Sequence, residues 1–590
     1  MSDIHDDPHA DIARRFGEAQ TIGADDFDPE DGGGWDGGPP QPPGDDGDDD
    51  EPFGGKPDPD VVKACAGLDH SDTDNGIRLV KHFGRDLAVM AQDEVSAGSW
   101  LAWAGTHWDL ANGLAISKLI AQQLGLRMLL ETHHINPTPR EAIAIEDAAP
   151  LRGKKRADLT DDEKMILSAG DAAESALQKR RQRRRAFAIT SKNKGRMDAA
   201  LDCAAPRLRR SPDAFNADRY KIATATHTLR FEREEDPECP DPDVTRYVGV
   251  CRAVPGHRRE DWITSVVPQP YDPEARAPRW REFLAKMLPD EAKRRSVQLM
   301  TALGLLSVPV QYLMFHYGLG ANGKSVFLET VTRVLGPSLA VGLPRESIVG
   351  GSERSSGGAS PDIARLYGKR FVRILEVAGN VSLQEDMIKR LTGGEAIPVR
   401  SLYKGYFEFQ NFATAHMSGN DFPRVDGQDN GIWRRLLVVH WDQTIPEEER
   451  GDFEDVVSGF VRDEGAGILN WMIEGVLDYL VNGLVIADSV RNDTREYRDD
   501  MDPVGEFIKG CLKEEKDHRE QAHDLYEAYI SWSLANAKRA VSQTRFGKRI
   551  RASFERAEIS GRIYYKGCHL HDVPARPEQP GKHDAPYPRN

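Results

Sequence analysis

The chain has 590 residues, 39% hydrophobic and 29% charged, with a formal net charge of −17; that length supports several independent cores. Residues 1–60 hold 16 Asp and 3 Glu against 3 Lys or Arg, so nearly all of the net negative charge sits in this arm and the other 530 residues carry a net −1. A balanced body can present local basic surfaces, so the net charge does not exclude nucleic acid. Six cysteines stand singly at 65, 203, 239, 251, 511 and 568 with no CxxC pair, a pattern of free thiols in a reducing compartment rather than a disulfide framework.

In chain order, Met1 to Asp60, with GGGWDGGPPQPPGDDGDDD at its centre, is too polar to bury a core and is expected to be a disordered acidic arm, either a solvating tail or a DNA mimic. Asp58 and Asp60 fall in that arm, and Asp69, Asp72 and Asp74 in a polar loop. Trp100, Trp103 and Trp108 nearly alternate on an apparent strand, which favours a packed core over a base-stacking platform. The run Lys179-Arg-Arg-Gln-Arg-Arg-Arg185 lies on a predicted helix, as a solvated face or a phosphate-tracking surface. Between Arg230 and Arg258 a Pro-, Glu- and Asp-rich stretch reads as a loop or small insertion, and Cys239, Cys251 and His257 lack the close pair that a zinc site needs. The most apolar stretch, Val297 to Phe315, is broken by Gly304, Pro309 and Gln311, so no membrane span is expected. Without a cleavable signal the expected location is cytoplasmic.

Gly318-Leu-Gly-Ala-Asn-Gly323-Lys324-Ser325 satisfies GxxxxGK[ST]. Val310 to Tyr317 before it reads as a buried strand, and Val326 to Leu335 after it as a helix stopped at Gly336-Pro337. Strand, glycine loop and helix in that order make a triphosphate cradle. Backbone N–H groups from Gly318 through Gly320, Ala321, Asn322 and Gly323 to Val326 converge on phosphate, Lys324 reaches the β- and γ-phosphates of ATP, and Ser325 ligates Mg²⁺. Downstream, Phe371 to Glu376 is an apolar strand ending in a carboxylate suited to hold Mg²⁺ or activate water. Phe412 to Asn420 ends in an amide able to orient a water, and Gly431-Ile-Trp-Arg434-Arg435 presents paired arginines suited to a finger acting at a neighbour's site. After a charged linker, Arg491 to Asp500, the segment from Asp502 to about Val573 reads helix, helix, strand. In it, Arg545, Lys548, Arg549 and Arg551, with Lys566 beyond, suit DNA backbone contacts unless they form a solvated face. Pro574 to Asn590 is expected to be a disordered tail.

The series GANGKS, ILE, KRLTGGEAIPVRSLYK, Asn420-Asp-Phe-Pro423 and GIWRRLLVV resembles the superfamily 3 helicase core of the phage and plasmid primase-helicase family that includes the phage P4 alpha protein and poxvirus D5. Asn75 to Gly84, Ser99 to Trp108 and Pro278 to Leu284 resemble the same family's N-terminal domain, and the last segment its C-terminal domain. The resemblance implies an α/β fold: an AAA+ type P-loop motor over 291–490, a mostly helical N-terminal domain over 61–290 and a winged-helix domain over 501–573. It further implies a homo-hexameric ring on DNA, with Lys324 and Ser325 for triphosphate and metal, Glu376 for the acidic motif, Asn420 as sensor and Arg434 or Arg435 as finger. Lys389, Arg400 and Lys404 match the segment shaping a DNA-facing hairpin. Val377 departs from the paired acids common in that family, which leaves Glu376 open as metal ligand or water activator. The function so implied is ATP-dependent DNA unwinding in phage, prophage or plasmid replication, with a separate primase as a possible partner. A fused primase-helicase and an ATP-dependent initiator or switch are the alternatives.

Overall fold

The computed structural model describes residues 55–92, 95–239, 245–350, 361–374, 376, 377, 379, 381–400, 406–425, 430–538 and 540–574. Most of the acidic arm and nearly all of the Pro-rich tail lie outside them.

The carboxylate of Asp58 accepts from Asp60 N (2.8 Å) and caps α1 (Pro59–Cys65), while Ser71 caps α2 (Asp72–Phe83). Asp58, Asp60, Asp72 and Asp74 are therefore cap and first-turn residues, where a negative charge complements the helix dipole. The expectations of a disordered arm through residue 60 and a polar loop at 72–74 are corrected accordingly. The chain continues through β1 (Leu87–Gln92), β2 (Val95–Trp103), β3 (Trp108–Asp109), α3 (Gly113–Gln122), α4 (Leu124–Glu131), α5 (Pro139–Ala148), α6 (Asp161–Thr190), α7 (Lys194–Ala204) and β4 (Arg209–Arg210). The strands form a sheet in the order β3-β2-β1-β4. Trp100, Trp103 and Trp108 are all buried, as their alternation indicates, and Trp108 stacks on Trp262 at 4.6 Å.

The stretch at 230–258 is not a loop. Strands β5 (Lys221–Thr224), β6 (His227–Glu235), β7 (Tyr247–Pro255) and β8 (Val266–Val267) form a second sheet, with β6 and β7 paired in register from His227↔Pro255 to Glu235↔Tyr247. Its charges alternate with apolar positions and pair along the exposed face, as in Arg252 Nε to Glu232 at 2.9 Å, so a polar composition conceals a strand of period two.

Helices α8 (Pro278–Met287) and α9 (Glu291–Ala302) lead into the central sheet. The following elements are β9 (Leu313–Tyr317), α10 (Lys324–Leu335), β10 (Ala340–Leu343), α11 (Pro361–Ala364), β11 (Phe371–Ile374), α12 (Glu385–Gly393), β12 (Ala396–Arg400), β13 (Tyr406–Gln410), β14 (Thr414–Gly419), α13 (Asn430–Trp433), β15 (Leu436–His440) and α14 (Phe453–Asn482). The five-stranded sheet runs β10-β11-β14-β9-β15, all parallel, and its strands are short apolar runs buried on both faces. One core cluster runs from Ile222 to Val490, with Trp280 of α8 stacked on Phe327 of α10 at 5.6 Å.

Residues 491–500, expected as a linker, belong to α15 (Asp488–Asp500). The helix has a buried stripe, Val490 and Tyr497, and lies along edge strand β15, where Thr494 Oγ1 accepts from Val438 N (2.9 Å) and Asp493 Oδ2 from His440 N (3.2 Å). Side chains thus satisfy the edge that a missing strand would pair. The chain ends in α16 (Pro503–Cys511), β16 (Leu512–Gln521), α17 (Ala522–Ala535), α18 (Gln543–Ile550), β17 (Glu555–Ile559) and β18 (Arg562–Leu570), whose sheet order is β16-β18-β17 over its own core. Among the described residues, no helix is long and apolar enough to cross a membrane.

Candidate nucleotide site and nucleic-acid surfaces

The glycine loop leaves β9 at the C-terminal edge of the parallel sheet and enters α10, whose N-cap is Gly323 at φ +78°. A side chain at Gly323 would meet the Phe283 ring at 2.7 Å and one at Gly318 would strike Asn322, so both positions exclude anything larger. Gly320 and Ala321 also have positive φ (+114° and +46°), and Ala321 O is held by Ile445 N at 2.7 Å. Asn322 is buried and donates to Trp441 O at 3.3 Å, which ties the loop to the end of β15.

Lys324 is only 3% exposed, and its ammonium donates to Gly318 O (2.9 Å), Asn322 Oδ1 (3.4 Å) and Asn420 Oδ1 (2.6 Å). Burial pulls its pKa below the usual lysine range, and the charge of Glu376 pulls it back. Glu376 is exposed and follows β11, the second strand from β9; Asn420 is exposed at the end of β14 between them. The sheet therefore brings Lys324, Glu376 and Asn420 to one edge from positions up to 96 residues apart. Ser325 and Val326 follow in the first turn of α10, half-buried. A buried cation fixed by three oxygens beside a helix N-terminus has the chemistry of an anion-binding site. The loop after β14 is anchored by an aromatic stack, Tyr317 on Phe422 (4.1 Å) and Phe422 on Tyr497 (4.3 Å).

The two arginines separate. Arg435 Nη1 donates to Gly431 O (2.6 Å) within its own turn, and Arg435 O accepts from Leu313 N (2.7 Å) of β9, whereas the Arg434 side chain is exposed. Lys389 sits on α12 with Glu385 3.9 Å away. Arg400 closes the β12–β13 hairpin in register with Tyr406, and Lys404 lies outside the described residues. On α18, Lys548 is exposed and Arg545 half-exposed, but Arg549 Nε donates to Asp502 Oδ2 (2.7 Å), the carboxylate that caps α16 through Gly505 N. Arg551 is exposed, and Lys566 on β18 pairs with Glu555 at 3.0 Å. In the basic run of α6, Arg184 is buried against Glu131 and Arg180 binds Glu141, leaving Lys179, Arg183 and Arg185 outward.

The sequence alone did not single out two supports of this site. Arg373 of β11 donates to Glu329 of α10, tying the strand that delivers Glu376 to the helix that carries Lys324. Behind the loop, Trp441 Nε1 donates to His316 Nδ1 (3.1 Å), and His316 Nε2 lies 3.1 Å from His416 Nδ1; burial holds both imidazoles neutral, His416 down to about 3. The signal available was a histidine on each of two otherwise apolar strands, which says nothing of their pairing.

Three consecutive stretches match known families: residues 76–289 one described as D5 N terminal like, 316–435 a family of unknown function, and 499–567 one described as Poxvirus D5 protein-like. Among named relatives, L207/L206 of Acanthamoeba polyphaga mimivirus, named as a helicase, is 28% identical over 276 residues, covering 43% of this chain and 28% of its own length. The protein 121R of Invertebrate iridescent virus 3, also named as a helicase, is 23% identical over 281 residues, covering 43% of this chain and 30% of its own length. The chain thus matches less than a third of either relative. Among solved structures, the apo C-terminal region of NrS-1 (its residues 305–718) is similar at TM-score 0.34 and 12% identity, covering 51% of this chain and 79% of that one. The fold is mixed α/β, built on a parallel sheet with helices around it. Its N-terminal and C-terminal stretches thus each resemble a D5-type family.

Proposed function

We propose that the chain is the motor of an ATP-dependent DNA helicase, in which ATP bound on the glycine loop is hydrolysed between subunits of a homo-hexameric ring. The observation that carries the reading is Lys324, a buried cation fixed to Gly318 O and Asn420 Oδ1 under a loop in which a side chain at Gly318 or Gly323 would collide with its neighbours. The strand order of the central sheet supports an AAA+ type P-loop core, and the order α16, β16, α17, α18, β17, β18 supports a winged-helix module. In this reading the loop N–H groups and Lys324 hold the β- and γ-phosphates, and Ser325 with Glu376 supplies oxygen donors fitted to Mg²⁺. Mg²⁺, when bound, would offset phosphate charge. Asn420 exchanges its bond to Lys324 for one to the γ-phosphate or the attacking water, so the 2.6 Å contact is the resting position of a sensor. Glu376, exposed and one sheet position beyond Asn420, takes the water proton. Arg434 reaches the neighbour's site, while Arg435 braces its own turn.

The hairpin bearing Arg400, with Lys389 and Lys404, faces the strand that threads the ring, and Arg545 and Lys548 of α18 meet duplex backbone at the fork. Primer synthesis needs clustered carboxylates for two metals, and it is not favoured here because Asp58 caps α1 and Asp74 accepts from Asp69 N at 2.7 Å. A separate primase is a possible partner. The test is strand separation on forked duplexes of both polarities, with native mass measurement with and without ATP. Hydrolysis without separation on any fork would return the initiator or switch reading, and no ATP binding would remove both.

A further inference from the structure

The C-terminal sheet carries a set of donor atoms that the nucleotide reading leaves unused. Strands β16 and β18 pair at Glu514↔Cys568 and again at Arg519↔Lys566, so four residues of β16, Glu515 to His518, oppose Gly567 alone, which takes φ +77°. A bulge of this size re-aims side chains. Here His569 Nδ1 lies 3.0 Å from His518 Nε2, and Glu520 Oε1 lies 3.5 Å from the same His518 nitrogen and 3.4 Å from the same His569 nitrogen. Glu515 adds a carboxylate oxygen within 4.8 Å of both imidazoles, and Leu570 N fixes Glu520 Oε1 at 3.0 Å.

Bonds of ~2.0–2.1 Å in a tetrahedral zinc site place neighbouring donor atoms ~3.3 Å apart. The observed triangle of 3.0, 3.4 and 3.5 Å has that size. We propose that His518, His569, Glu520 and Glu515 form a site for a divalent transition-metal ion of the Zn²⁺ class, which clasps the bulge of β16 to β18. Two carboxylates balance the charge of the ion, and two imidazoles select against Ca²⁺ and Mg²⁺. The flanking Lys513 lies opposite His569 in the ladder, and its charge is felt at Asp572, which lies 3.0 Å from His571 Nδ1. The other convergent set, Cys65, His82 and Glu131, is a poor competitor because Arg78 and Arg184 already hold the Glu131 carboxylate.

The full chain, stripped with chelator and titrated by calorimetry, should take up one Zn²⁺ at micromolar affinity or tighter. Co²⁺ should give the visible bands of a tetrahedral complex, bleached by Zn²⁺. His518→Ala and His569→Gln, each checked for fold by circular dichroism, should weaken binding at least tenfold, and Cys65→Ser should leave it unchanged. Absence of uptake at 100-fold excess Zn²⁺, uptake unaltered in both histidine variants, or uptake lost in Cys65→Ser would each overturn the site and leave only a hydrogen bond between two imidazoles. None of these readouts depends on ATP, so they stand apart from the helicase reading.

Discussion

Lys324 and the two arginines make opposite demands on their surroundings, and that difference is measurable. Lys324→Ala removes a point charge but leaves the loop backbone in place, so ATP hydrolysis should vanish while the melting temperature changes little; normal turnover would end the nucleotide-site reading. Arg434→Ala should lower hydrolysis by roughly three orders of magnitude, the usual scale for a finger, with nucleotide binding nearly intact. Arg435→Ala should instead lower stability by about 1 kcal/mol, seen in denaturant midpoints, because it deletes the bond to Gly431 O. Reversed outcomes would exchange the two roles. Among titrating residues, His416 is held neutral by burial, with its pKa lowered from 6.5 to about 3. The unfolded chain then binds the extra proton, so the stabilisation is complete above about pH 6.5. It is lost as pH falls toward 3, by about 1.4 kcal/mol per pH unit. His416→Gln should reduce the slope of unfolding free energy against pH by one proton over that window, and an unchanged slope would mean that His416 is protonated in the fold.

At the scale of elements, the glycine loop and its flanking strand and helix were legible because their chemistry is local: spacing, glycine and one apolar period. What escaped was tertiary. Residues 491–500 are so charged that they read as a linker, yet Tyr497 is fully buried and its hydroxyl donates to Pro423 O, while Thr494 and Asp493 satisfy the edge of β15. Two apolar positions suffice when the other contacts are hydrogen bonds. The hairpin at 230–258 was hidden in the same way by paired surface charges. Arg549, which sequence places with the DNA-facing set, is bound to Asp502. Neutralising Arg545 and Lys548 should therefore reduce the slope of log affinity for DNA against log salt by roughly two, whereas Arg549→Ala should chiefly destabilise the C-terminal module. A flat response to the first pair would make α18 a solvated face.

For the whole molecule, the proposed finger acting on a neighbour would make activity a property of the proposed ring. Lys324→Ala and Arg434→Ala chains, each inactive alone, should recover some turnover when mixed, because an interface pairing an intact loop with an intact finger reappears. Absence of recovery, with mixed rings confirmed by native mass spectrometry, would place Arg434 on its own chain's site or require every interface to be intact.

Trp280 belongs by sequence to the N-terminal region, yet its ring is fully buried against Phe327 of the phosphate-loop helix and Trp471 of α14. Removing such a ring costs roughly 3–5 kcal/mol. In recombination between related genes, a crossover near residue 290 would bring together halves of an aromatic cluster that have not been matched to one another. A crossover nearer 500, where a separate core begins, would cut fewer such contacts. Mosaic descendants of this chain should therefore inherit α8 with the motor.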